Sequence, residues 1–300
     1  MQFPATAARC VGSYIGKKPI LPWRCYNLQM ENKKKTVAIV GYGYVGKALE
    51  IFFKDKFEIV IYDPPQGHTD RAATNAADLA VLCVPTPMSQ DGHADLAAVE
   101  ETFAWIQTPL IVLKSTVPPG TTARLAAQYK LEDKLIFSPE FIGEGGYPVP
   151  WWQGVPHPTD MKLQETFLFG GTQETVEKIV PFFTKVRGPF AQYRTTDPTT
   201  AELTKYMENV WIATKVTFCN ELYEVARAFG VSYDELRELW LTDGRVGRSH
   251  TLVYPDNRGF GGKCIPKDTN ALYQAAKEKG YDAALLGAVL KRNNDFRRMQ

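Results

Sequence analysis

The feature that most restricts this chain is a β-rich run, Thr36 to Val40, that leads straight into Gly41-Tyr42-Gly43-Tyr44-Val45-Gly46 and then into a helical pattern through Phe53. Strand, glycine turn and helix in that order open a dinucleotide-binding βαβ unit, in which backbone meets a pyrophosphate at a helix N-terminus. The turn alone is a weak signal. It gains weight because Phe57 to Ile61 reads as the next strand and Asp63 stands at its end, about 20 residues past the turn. A carboxylate there accepts hydrogen bonds from ribose hydroxyls and repels a 2′-phosphate. The sequence therefore predicts NAD rather than NADP, held by Gly41, Gly43, Tyr44, Val45, Gly46 and Asp63.

Further strands are expected at Ala80 to Val84, Leu110 to Lys114, Leu135 to Phe137, Phe167 to Phe169 and Phe190 to Tyr193. Amphipathic helices lie between several of them, such as Asp95 to Ile106 with Leu96, Val99, Phe103 and Ile106 on one side. This alternation predicts an α/β fold with a doubly wound, Rossmann-type parallel sheet, whose ligands gather beyond the carboxyl ends of the strands. Three loops fall there: Pro85-Thr86-Pro87, Ser115 to Gly120, and Ser138-Pro139-Glu140-Phe141. Thr86 and Thr116 are cofactor candidates, although a turn-making role alone also suits Thr86 with its two prolines. Thr116, a hydroxyl at a strand end, suits function or helix capping alike. Glu140 is a carboxylate in apolar company. The stretch from Gly143 to Asp160 reads as a long lid or binding loop or a mobile insertion, with Trp151 and Trp152 either stacking on a ring or anchoring the loop.

A helical half follows. Thr199-Thr200-Ala201-Glu202 reads as a capping box opening a helix that runs to Phe229 and stops at Gly230. Lys205 and Asn209, four apart, share one face of it. It carries an apolar set, Leu203, Val210, Trp211, Phe218, Leu222 and Val225, and its length of about thirty residues exceeds what one domain needs, so it is expected to support a subunit interface. A second capping box, Ser232 to Glu235, starts another helix. Near the end comes Gly259-Phe260-Gly261-Gly262-Lys263-Cys264-Ile265-Pro266-Lys267-Asp268. A cysteine beside a cation at a helix start suits a nucleophilic thiolate, and equally a small buried hydrophobe beside a turn. The division expected is a poorly ordered extension over 1–29, an NAD-binding domain over 30–196, and a helical dimerisation domain over 197–300.

Composition excludes several classes. A net charge of +2 gives no reason to expect nucleic acid or a membrane surface, and no apolar run approaches the length of a membrane span. Five cysteines, widely spaced and without a CxxC, suggest neither a disulfide framework nor a zinc site, and fit a reducing cytoplasm. The four histidines share no ligand spacing, so no metal is expected.

From Thr36 to about Arg298 the chain resembles the nucleotide-sugar dehydrogenases, the UDP-glucose and GDP-mannose 6-dehydrogenase family. The motifs GYGYVG, CVPTP followed by GHADL, KSTVPPGTT, SPEFIGEG, AELTKYMEN, TDGRVG and GFGGKCIPKD carry the resemblance, in order. It implies oxidation of a sugar's C6 alcohol to a carboxylate with two NAD, through a cysteine-bound thiohemiacetal and thioester. On that resemblance Cys264 is the nucleophile, Lys205 and Asn209 attend the oxyanion, and Asp268 handles protons and water with Lys205. Glu140 is the base of thioester hydrolysis, Thr116 orients the water, and Lys267 balances charge. Phe141, Phe260 and Gly261 join Glu140 and Lys205 as substrate contacts, and Arg245 resembles an arginine that reaches the substrate across a homodimer. The chain departs from the family at Lys263, where a small residue is usual, and at Gly143, where arginine is frequent. Family members also continue for about another domain. The expectation is thus a minimal nucleotide-sugar dehydrogenase. Its alternatives are a truncated, weakly active or inactive NAD-binding partner in dimerisation, or a dehydrogenase of a smaller, nucleotide-free substrate.

Overall fold

The computed structural model describes residues 34–142 and 161–299. The expectations placed on 1–29 and on 143–160, Trp151 and Trp152 included, lie outside the described residues. In chain order the elements are β1 (Thr36–Val40), α1 (Tyr44–Phe53), β2 (Glu58–Tyr62), α2 (Arg71–Asn75), β3 (Leu79–Leu82), α3 (Ala97–Phe103), β4 (Ile111–Leu113), α4 (Thr121–Tyr129) and β5 (Leu135–Phe137). Then follow β6 (Thr166–Gly170), α5 (Gln173–Arg187), β7 (Gln192–Thr196), α6 (Pro198–Ala228), α7 (Tyr233–Trp240), α8 (Cys264–Glu278) and α9 (Ala284–Arg298). The seven strands read from the sequence all form, with ends shifted by a few residues.

The strands make one sheet in the order β2-β1-β3-β4-β5-β6-β7. Side chains alternate across it: Val37 and Ile39 face α1 and α5, while Ala38 and Val40 face the opposite layer with Val99, Phe103 and Leu125. Both layers are apolar because a sheet covered on two sides must bury both faces. On the first side a cluster of phenylalanines closes the core, with Phe52, Phe53, Phe167 and Phe183 at ring-centroid distances of 4.8 to 5.9 Å.

The sheet is not wholly parallel. β1 to β5 are parallel, but β6 meets β5 antiparallel, through the single pair Phe137↔Gly170, and β7 runs parallel to β6. This reversal matters to the site. Because Gly170 pairs with Phe137 and Thr196 pairs with Gly170, β7 ends level with the carboxyl end of β5, and α6 starts there.

The capping expectation for α6 is corrected. Its N-cap is Asp197, whose side chain accepts from the Thr200 N–H, with Pro198 as the first helical residue. Glu202 turns away to α4 instead, accepting from the backbone N–H groups of Gly120 and Thr122. The helix ends as expected, before Gly230 at φ +67°. Ser232 caps α7 by accepting from the Glu235 N–H.

α6 mixes polar and apolar groups on its buried side. Glu202, Lys205, Tyr206, Asn209 and Asn220 lie there beside Ala201, Val210, Ala213, Cys219 and Ala226. Its open side holds Leu203, Met207, Trp211, Phe218, Val225 and Phe229, with Met207 74% and Trp211 62% exposed. None of the described helices is long and apolar enough to cross a membrane.

Candidate active site

β2 lies on one side of β1 and β3 lies on the other, so a crevice opens at their carboxyl ends. The glycine turn fills its floor. Gly41 takes φ +91°, and a Cβ on it would stand 2.6 Å from the Cys83 carbonyl oxygen. A Cβ on Gly46 would stand 2.2 Å from the Gly41 carbonyl oxygen, so α1 packs on the turn only through glycine. A Cβ on Gly43 would meet nothing within 4 Å. That position faces open space, as a phosphate cradle requires. Asp63 closes β2 with one carboxylate oxygen accepting from the Tyr42 N–H at 2.6 Å.

One cavity of about 1000 Å3 runs from this turn to the start of α8. Gly41, Gly43, Tyr44, Val45, Asp63, Thr86, Thr116, Glu140, Cys264 and Asp268 all line it. Thr86 donates its hydroxyl to the Thr116 carbonyl at 2.9 Å, tying two of the three strand-end loops together. Cys264 is the first residue of α8, where helix N–H groups favour negative charge, and Lys263 and Lys267 share its wall.

Behind the wall stand the side chains of α6. Lys205 Nζ lies 3.1 Å from Glu140 Oε1, 3.7 Å from Glu208 Oε2, and 5.6 Å from the Phe141 ring centroid. Burial pulls the Lys205 ammonium down, but Glu140 and Glu208 outweigh it and hold its pKa above the ordinary value. The residue is a cation. Burial pushes the Glu208 carboxyl up against the opposing pull of Lys205. Asn209 donates from Nδ2 to Asp268 Oδ2 at 2.5 Å, and Lys267 pairs with the other Asp268 oxygen. Asp268 is 1% exposed although it borders the cavity, and both of its oxygens are held by these partners.

Of the expected substrate residues Glu140 lines this cavity, with Lys205 against it and Phe141 against Lys205, whereas Arg245, Phe260 and Gly261 lie elsewhere within the chain. Arg245 has a side chain 90% exposed and paired with Asp243 at 2.5 Å. Phe260 is buried against Ala213 and Val289, and its backbone N–H and C=O are both taken by Asn293. Gly261 lies against the Arg297 guanidinium.

Sequence reasoning overlooked Lys114, although it opens the KSTVPPGTT motif. It is 2% exposed, lines the cavity, and donates to the Ser138 carbonyl at 3.2 Å and the Pro139 carbonyl at 2.9 Å. It thereby fixes the peptide that precedes Glu140. Burial lowers its pKa to about 8, with Glu140 acting in the opposite direction.

A glycine cradle with open space above it, a carboxylate at the end of β2, and a cysteine helix on the same cavity define a dinucleotide-binding protein of dehydrogenase architecture. The residues present fit NAD, since Gly43 leaves room for a pyrophosphate and Asp63 presents a carboxylate to a ribose. Residues 66–148 match the NAD binding domain of the UDP-glucose/GDP-mannose dehydrogenase family, and 199–295 match that family's central domain. The chain belongs to the UDP-glucose/GDP-mannose dehydrogenase family. It is 32% identical over 238 residues to UDP-glucose 6-dehydrogenase TuaD of Bacillus subtilis, an alignment spanning 75% of this chain and 48% of that protein. It is 31% identical over 248 residues to GDP-mannose 6-dehydrogenase of Pseudomonas syringae, spanning 76% and 53%. Among solved structures, a UDP-glucose dehydrogenase from Pyrobaculum islandicum superposes with a TM-score of 0.73 at 27% identity, covering 89% of this chain and 70% of that one. The chain spans about half the length of the curated relatives it matches.

Proposed function

We propose that the protein oxidises the C6 alcohol of a nucleotide sugar, of the UDP-glucose type, to the carboxylate with NAD. The observation that carries the reading is the shared cavity: Cys264 and Asp268 line the space that holds the glycine turn and Asp63. Bound there, NAD supplies the hydride acceptor, and two equivalents are consumed per sugar. Lys205 and Asn209 hold the substrate oxygen, and the Asp268 carboxylate accepts its proton as the alcohol becomes an aldehyde. The Cys264 thiolate adds to the aldehyde carbon and forms a thiohemiacetal, whose oxyanion Lys205 and Asn209 stabilise. Loss of the second hydride from that carbon leaves a thioester. Glu140 takes a proton from a water positioned by Thr116. The water attacks the thioester carbon, the C–S bond breaks, and the thiolate and carboxylate separate. Phe141, Phe260, Gly261 and Arg245 are proposed substrate contacts, with Arg245 serving the site of a second subunit. The open apolar side of α6 supports a homodimer. Among the described residues Cys83 and Cys219 form no disulfide, and the protein is proposed to work in the cytoplasm.

The test is the count of NADH formed per UDP-glucose consumed. The wild type is expected to give two, and Cys264→Ser is expected to lose the second oxidation. One NADH per sugar from the wild type, or two from the serine variant, refutes the thioester route. No turnover with NAD still bound refutes UDP-glucose as substrate.

A further inference from the structure

We propose that Glu202 is a positioning residue that locks the loop carrying Thr116 to the helix carrying Lys205 and Asn209. α4 begins after Gly120 at φ +92° and has no side-chain cap of its own. The first N–H groups of a helix have no partner within it, and buried ones left unpaired are costly. Here the partner comes from 80 residues away. Gly120 N–H donates to Glu202 Oε2 at 2.5 Å, and Thr122 N–H donates to Glu202 Oε1 at 2.7 Å. Glu202 is fully buried, and its carboxylate faces the positive end of the α4 dipole.

Both ends of this clamp carry groups of the candidate site. On α6, Lys205 follows one turn after Glu202 and Asn209 follows two turns after, so the three side chains share the buried face. On the other end, the segment 115–120 is continuous with α4 and carries Thr116, whose carbonyl is tied to Thr86. One rigid carboxylate with two bonds therefore fixes Thr116 relative to Lys205 and Asn209, which belong to an element entered from β7 and not from β4. The carboxylate touches neither cavity nor cysteine. It acts through the loop and through the helix.

The kinetic arm of the test rests on the dehydrogenase reading, whereas the exchange arm does not. Glu202→Gln keeps the shape but offers one acceptor oxygen in place of two. Thr122→Pro deletes one donor from the α4 side at a position where proline suits a first helical turn. In both variants, hydrogen exchange across 116–122 is expected to quicken by about tenfold or more, with β1 to β4 unchanged. Calorimetric NAD affinity is expected to stay within about twofold and kcat on UDP-glucose to fall about tenfold or more at unchanged KM for NAD. Unchanged exchange across 116–122 in a folded variant overturns the clamp. Quickened exchange with wild-type kcat overturns the positioning role. If the wild type itself does not turn over UDP-glucose, the dehydrogenase reading fails on that substrate, and the exchange result alone decides the clamp.

Discussion

Replacing Lys205 by methionine keeps most of the stem's volume and removes the ammonium that faces Glu140 at 3.1 Å. The Lys205 and Glu140 side chains are 6% and 12% exposed, so little water is available to replace the lost partner. Glu208 loses the same partner, but at 3.7 Å and with its side chain 39% exposed its share is the smaller, so the cost is assigned mainly to Glu140. Breaking one side of a buried pair costs about 3 to 5 kcal/mol, and the residual exposure of Glu140 places this case near about 3 kcal/mol. For a chain of this size each kcal/mol moves the midpoint by about 2 to 4 °C, which gives a fall of about 6 to 12 °C at pH 7.5. Adding Glu140→Gln removes the orphaned charge and is expected to restore most of that loss. Activity is expected to fall about 10²- to 10³-fold in the single variant and to stay low in the double. Differential scanning calorimetry with a parallel NADH assay reads both. A single variant melting within about 2 °C of wild type refutes the coupling, as does a double variant that melts no higher than the single.

Gly43→Ala is expected to leave stability within about 0.5 kcal/mol and to weaken NAD by about tenfold or more, because its methyl enters the open cradle. Gly41→Ala is expected to cost more than about 1 kcal/mol of stability, since φ +91° and the Cys83 carbonyl both oppose a side chain; equal behaviour of the two in urea melts and calorimetry contradicts the cradle. Lys114 has a folded pKa of about 8 against an ordinary 10.5, so the unfolded chain binds the extra proton between those values and stability rises with pH there. The stability of the wild type relative to Lys114→Met is therefore expected to grow by roughly 3 kcal/mol from pH 8 to pH 10.5, and a flat difference in urea melts contradicts the buried cation. Met207→Glu, on the open side of α6, is expected to give a folded monomer in sedimentation, and a dimer of unchanged affinity removes that face from the interface.

The parts of the site that were legible in the sequence are those fixed by neighbours in the chain. The glycine turn, Asp63 at the next strand end, and Cys264 at a helix start each follow from local backbone demands. Asp197 as the α6 cap was also within reach, because Pro198 marks the first helical position. What stayed hidden depends on residues far apart in the chain. The antiparallel β5–β6 pair leaves no mark on strand patterning, since either direction buries the same faces. The role of Lys114 needs Ser138 and Pro139, and that of Glu202 needs Gly120 and Thr122. The setting of Phe260 likewise needs Asn293 on α9, which takes its backbone N–H and C=O and draws the segment inward.

The polar groups on the buried face of α6 have a consequence for how the chain folds. A helix that meets its domain through apolar side chains alone docks during collapse, because any oily surface will serve. Beside its buried Ala201, Val210, Ala213, Cys219 and Ala226, α6 must also seat Glu202, Lys205, Asn209 and Asn220, whose partners at Gly120, Glu140, Asp268 and Arg258 are scattered along the chain and useful only when already in place. Such contacts give nothing for approximate geometry and a large penalty for burial unpaired. Seating of α6 is thus expected to be the late, slow phase of refolding, following a sheet that assembles from its own apolar strands.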